Sequence, residues 1–273
     1  MNGAQYPNPF GQLVAALEPW LDQVVIVGGL AHKLYRLHPG AQALDYPPLN
    51  TLDADVALPA SLVVGEQDIR AHLVAHGFTE ELLGEDRPPA THYHLGGESS
   101  GFYVEFLTPL VGGEYGRKRQ RKSTMEIAGI SSQQLRHIEL LLHEPWWIEL
   151  KGEGLVGSVR VANPVTFVAQ KILIHRKRER EDRAKDILYV RDTLEVFGGR
   201  LAELAQLWRS SVAPQLQVRN ARKVTSASQE MFGELSDDIR RAAEISPERA
   251  LAPETIREAC RHGLSQVFTN AAD

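Results

Sequence analysis

The sequence predicts an α+β fold that ends in an all-helical part. Short β-branched runs bounded by turn residues occupy the first 162 residues, and Val24-Val25-Ile26-Val27 before Gly28-Gly29 is the clearest of them. At Asn163-Pro164 the texture changes, because Asn is a good N-cap and Pro suits the first helical position. Beyond that point strand signals vanish and helical periodicity continues. A boundary here divides the chain into domains 1–162 and 163–273, each of ordinary domain size.

The elements follow in order. Gly11 to Leu21 reads as an amphipathic helix with Leu13, Leu17, Trp20 and Leu21 in one stripe. Val24 to Val27 is a buried strand, broken by Gly28-Gly29, which opens a helix through Ala31, Leu34 and Leu37. His38-Pro39-Gly40 stops that helix and leads into a loop over 39–50. Leu52 to Leu58 is a strand closed by Pro59, and Gln67 to His76 a helix ending at Gly77. Strands are expected around Thr91–Leu95, Phe102–Leu107, Met125–Ile127, Ile138–Leu142 and Val156–Val161, with a hairpin turn over 96–101. Helices are expected over 164–178, 182–197, 200–208, 214–233, 236–245 and 253–268.

Bulk composition excludes several classes. The formal net charge of -5 gives no global basic field for nucleic acid. Cys260 is the sole cysteine, so neither an intramolecular disulfide nor a cysteine-based zinc site can form. One cysteine fits a reducing compartment, and a cytoplasmic location is expected. Met1 to Phe10 lacks a signal-peptide pattern. No apolar stretch approaches the ~20 residues of a membrane span, so no membrane partner is expected.

The strongest chemical signal is Asp53-Ala54-Asp55. In a strand, residues i and i+2 share a face, so both carboxylates project together while Leu52, Ala54, Val56 and Leu58 face a core. Adjacent like charges repel unless a cation neutralises them, and oxygen-only ligands suit a hard divalent ion such as Mg²⁺. Surface charge on an edge strand is the plainer alternative. Gly28-Gly29 lets backbone approach a phosphate, although such a strand-Gly-Gly-helix bend is more often just a tight turn. Glu105, in Phe102-Tyr103-Val104-Glu105-Phe106-Leu107, is either a paired or metal-bound carboxylate or a solvent-facing residue. If its strand neighbours the Asp strand, three carboxylates converge.

Other residues offer weaker signals. Lys171 lies among apolar neighbours on the first C-terminal helix and either reaches a triphosphate or snorkels at the core rim. Asp182 and Asp186 are spaced i,i+4 and could orient Lys171 or Arg176, or belong to a solvated face. Arg117, Lys118, Arg119, Arg121 and Lys122 crowd one loop beside Tyr115, which is either a solvated loop or a contact with a phosphate backbone. His92 and His94 alternate in a strand, but with no third ligand in the local sequence they read as ordinary strand residues. Ser99-Ser100 have no His and Asp partners for nucleophilic chemistry.

Taken in order, Gly28-Gly29, Asp53-x-Asp55, Glu105, Lys171 and Lys185-Asp186-Ile187 resemble the nucleotidyltransferase superfamily, in particular the group related to AbiEii-type toxins and minimal bacterial nucleotidyltransferases. The resemblance spans about residues 24–190. It implies a mixed β-sheet with flanking helices, followed by a helical domain. It also implies transfer of a nucleotidyl group from an NTP, ATP among the candidates, with release of pyrophosphate. Gly28 and Gly29 would then hold the triphosphate, and Asp53 and Asp55 two Mg²⁺ ions. Glu105 would bind metal on the acceptor side or take the acceptor proton. Lys171 would contact phosphates with Asp186 supporting it. The acceptor suggested by the basic loop is RNA, a tRNA end included, with a small hydroxylated molecule or a protein side chain as alternatives, and the toxin-like resemblance allows an antitoxin partner. Leu30 stands where many superfamily members carry Ser, which keeps open a second reading: a non-catalytic protein of the same fold that binds a partner protein or nucleic acid.

Overall fold

The computed structural model describes residues 9–63, 65, 68–84, 89–96, 101–113, 123–152 and 155–268. The chain forms two compact units, Met1–Leu37 with Asn50–Ala162, and His38–Leu49 with Asn163–Asp273.

The first unit runs α1 (Pro9–Ala16), β1 (Val25–Val27), α2 (Gly28–Leu34), β2 (Asp53–Ala57), α3 (Ile69–Ala75), β3 (Phe78–Leu83), β4 (Ala90–Leu95), β5 (Tyr103–Pro109), β6 (Thr124–Ile127), β7 (Ile130–Leu135), α4 (Ile138–Leu141), β8 (Trp146–Gly152) and β9 (Leu155–Val161). The strands make one nine-stranded mixed sheet in the order β3-β4-β5-β2-β1-β9-β8, with β7 on β5 and β6 on β7. β2 and β5 are parallel, whereas β1–β2, β3–β4 and β4–β5 are antiparallel. β4 covers the first half of β5 and β7 the second half, so both use the same edge.

Alternation divides the sheet into two faces. Ala54, Val56, Tyr93, Val104 and Phe106 are buried on one. The register places Val25, Val27, Asp55, Ala57, Glu105 and Leu107 on the other. That second face is apolar at one end, where Ile138 and Leu141 of α4 pack on Val25, Val27, Ala57 and Leu107. At the other end it carries the acids.

Several expectations change here. Ile138–Leu142 was expected as a strand, but Ile138–Leu141 is helical. A short, mostly apolar segment such as Ile-Glu-Leu-Leu cannot by itself distinguish the two states. β3, β7 and β8 are strands that the sequence reading did not find. α3 starts at Ile69, capped by Asp68 accepting from the Ala71 amide at 2.7 Å. Residues 97–100 of the expected turn, and Tyr115 with Arg117, Lys118, Arg119, Arg121 and Lys122, lie outside the described residues.

The second unit comprises α5 (Pro164–Ile174), α6 (Arg180–Val196), α7 (Leu201–Leu207), α8 (Ala213–Gln215), α9 (Val218–Gly233), α10 (Asp237–Ile245) and α11 (Pro253–Val267). Asn163 Oδ1 accepts from the Thr166 amide at 2.9 Å, the N-cap its identity predicts. α6 packs against α5, α10 and α11. Residues 38–49 are fastened to this unit by polar contacts. The Tyr46 hydroxyl donates to Glu195 and, at 3.3 Å, to Asp192. Arg249 lies 4.1 Å over the Tyr46 ring and pairs with fully buried Asp192 at 2.7 Å. A buried carboxylate requires such partners. Among the described residues no helix is long and apolar enough to cross a membrane.

Candidate active site

Gly28 ends β1 and opens α2 with φ of +63°. A Cβ there would sit 1.8 Å from Asp55 Oδ2. Backbone conformation and the Asp55 carboxylate therefore both demand glycine at this bend. Gly29 follows it, buried in the first turn.

Asp53 and Asp55 lie half-buried on β2, next to β1 through the Val27–Asp55 register. Asp53 accepts a hydrogen bond from Thr51 Oγ1. In the parallel β2–β5 pair Asp55 stands opposite Glu105 and Asp53 opposite Tyr103. The three expected acids therefore share one sheet face beside Gly28.

The neighbouring strand β4 adds groups not foreseen as part of this face. His92 is the cross-strand partner of Glu105, with Nε2 2.5 Å from Oε1. Gln133 of β7 donates to the other Glu105 oxygen at 3.3 Å. Tyr103 stacks on His92 at 4.5 Å. Burial, then the Asp53 charge, raise the Glu105 carboxyl above its ordinary range. Burial, then His94, lower His92. The Tyr103 phenol is pushed up to about 12 by burial, then by Asp53, Glu105 and Asp55. The face thus favours neutral forms around a concentration of acids, the setting in which a bound cation is stabilising. His92-x-His94 was visible in the sequence, but its link to Glu105 depends on strand pairing.

Among the described residues, the three side chains whose metal-ligating atoms all lie within 4.8 Å of one another are Glu81, His92 and His94. Glu81 comes from β3, a strand the sequence reading missed, and supplies beside His92 and His94 a carboxylate that the local sequence lacks.

Lys171 and Asp186 meet within the second unit. Lys171 Nζ is 2.6 Å from Asp186 Oδ1, with both side chains buried. The ammonium lies 5.5 Å from the Phe167 ring and 5.3 Å from that of Tyr189. Arg178 approaches Asp186 at 3.5 Å and Asp182 at 3.4 Å. Asp186 therefore belongs to a buried pair, whereas Asp182 is on the solvated face.

A mixed sheet that sets a glycine bend against an Asp-x-Asp strand, with a third acid on the next strand, defines a nucleotidyltransferase-like fold. The chain belongs to the nucleotidyltransferase family, whose family model, described as "Nucleotidyltransferase", matches residues 10–213. No curated protein sequence matches the chain.

Proposed function

We propose that the protein moves an NMP group from an NTP to an acceptor hydroxyl, at the face formed by Gly28, Asp53, Asp55 and Glu105. The observation that carries this reading is the fit of Gly28 against Asp55, with Glu105 in register on the parallel neighbouring strand. Gly28 and Gly29 would let backbone amides approach a triphosphate beside the acids. Asp53 and Asp55 would hold divalent cations, two Mg²⁺ in the full arrangement, with Glu105 on the acceptor side. Bound there, such ions would neutralise the α-phosphate and leaving pyrophosphate and acidify the acceptor hydroxyl. The acceptor oxygen forms a bond to the α-phosphorus as the bond from that phosphorus to the β-bridging oxygen breaks. Glu105 would receive the acceptor proton. Positioning and charge stabilisation supply most of the rate, as in phosphoryl transfer generally. Asp186 anchors Lys171, for which the family resemblance suggests a phosphate contact.

Asp53→Ala should reduce transfer of label from α-³²P-NTPs to background and leave the circular dichroism spectrum unchanged. Transfer at the parental rate would end this assignment.

The basic run Arg117 to Lys122 supports an RNA acceptor, and the toxin-like resemblance extends that to tRNA with an antitoxin as partner. RNA binding should then fall steeply between low and moderate salt. Flat binding would remove RNA from the proposal. Leu30, apolar and 7% exposed after the glycines, favours the non-catalytic alternative. Thermal stabilisation by NTP that requires Mg²⁺ separates the two, because a scaffold without a nucleotide site gains nothing from the ligand.

A further inference from the structure

We propose that Glu81, His92 and His94 form a cation site for a borderline transition ion of the Zn²⁺ class, chemically distinct from the acidic trio. The antiparallel β3–β4 register sets Glu81 directly opposite His92. His94, two residues along β4, projects from the same face. The ligating atoms of all three lie within 4.8 Å of one another, and His94 Nε2 is already 2.7 Å from Glu81 Oε2. Metal–ligand bonds of about 2.0–2.2 Å require donors roughly 3.3 Å apart. A small movement of Glu81, whose side chain is 56% exposed, adjusts the donors to that spacing.

The imidazoles are held in advance. Tyr103 stacks on His92 at 4.5 Å and lies 5.6 Å from His94, so one ring supports both ligands. Their side chains retain 17% and 26% exposure, which leaves an entry path. Two imidazole nitrogens and one carboxylate select Zn²⁺, Co²⁺ or Ni²⁺ over Mg²⁺ or Ca²⁺, which prefer oxygen alone. One consequence reaches the neighbouring site. Ligation through His92 Nε2 would take that nitrogen from Glu105, whereas ligation through Nδ1 would leave the Nε2–Glu105 contact in place.

The test titrates the metal-free full-length chain with Zn²⁺ by calorimetry and with Co²⁺ by visible ligand-field absorption. The expected result is one Zn²⁺ per chain in the presence of excess Mg²⁺, and a Co²⁺ spectrum of low-coordinate, nitrogen-containing type. His94→Ala and Glu81→Ala should each weaken binding about tenfold or more, while Asp53→Ala should leave it unchanged. Glu81→Ala alters an exposed residue on an edge strand and so keeps the test valid if His94→Ala misfolds. The proposal is overturned by absence of saturable Zn²⁺ binding, by unchanged affinity in folded Glu81→Ala, or by loss of binding in Asp53→Ala. Zn²⁺ binding that persists in a protein without transferase activity would sustain this site and count only against the nucleotidyl-transfer reading.

Discussion

Gly28 shows how one residue can carry two constraints. Its φ of +63° costs a side-chain-bearing residue about 1–2 kcal/mol, and a Cβ would overlap Asp55 Oδ2 at 1.8 Å. Gly28→Ala should therefore lower the urea midpoint by at least the backbone cost and displace Asp55, removing transferase activity even where the fold survives. Equal stability and activity in the variant would contradict both constraints. The Asp53-Ala54-Asp55 alternation was legible because period-2 patterning fixes which side chains share a face. Glu105 was legible only conditionally. Its alternation with Val104 and Phe106 gave it a face, but the pairing of β5 with β2 gave it neighbours. His92 and Glu81 were visible as residue types and not as partners, since cross-strand contacts do not follow from local sequence.

At the level of elements, α5 and α6 are joined by the buried Lys171–Asp186 pair. Removing one partner strands the other charge in a low-dielectric interior. Lys171→Met should destabilise the protein by about 3–5 kcal/mol, less whatever Arg178 compensates, and the double variant Lys171→Met/Asp186→Leu should recover most of the loss. Denaturant unfolding of the three variants checks this, and additive losses in the double variant would refute the coupling. The helix starts at Asn163-Pro164, Ser236 and Pro253 lay close to the sequence reading, because they are local signals, whereas the helix expected over 214–233 is broken at Leu216 into α8 and α9. Strands fared differently. β8 does alternate, with Ile148 and Leu150 buried and Glu149 exposed, so its signal was present and overlooked. β7 reads Ile-Ser-Ser-Gln-Gln-Leu, and only its pairing with β5 and β6 makes it a strand. β3 is an edge strand with Glu80 and Glu81 in its middle, which conceals its periodicity. Ile138–Leu141 coils because it must cap the apolar end of the acidic face.

For the molecule as a whole, the histidines set a pH dependence. Burial chiefly lowers His38 and His175 below the ordinary 6.5. In the unfolded chain they protonate near that value, while in the native state they resist, so below pH 6.5 the unfolded state binds more protons. Stability from these groups is complete above about 6.5 and declines as pH falls toward their lowered native values. Urea midpoints measured from pH 7.5 to 5 should drop, and His175→Gln should flatten the curve. A parental slope in that variant would assign the effect elsewhere. Glu80, Glu203 and Glu258 are held below the carboxylate range by their arginine partners, and their contribution is lost only at lower pH. The sequence by itself determined the α+β character, the helical C-terminal part, the Gly28 bend and the diacid, because capping, turn and alternation rules act over a few residues. Tertiary structure alone decided that Glu105 stands in register with Asp55, that Asp186 is buried against Lys171, and that a glutamate from an edge strand meets two histidines. Each of these depends on which strand or helix becomes whose neighbour, and that is settled by packing the whole sheet and helix set at once.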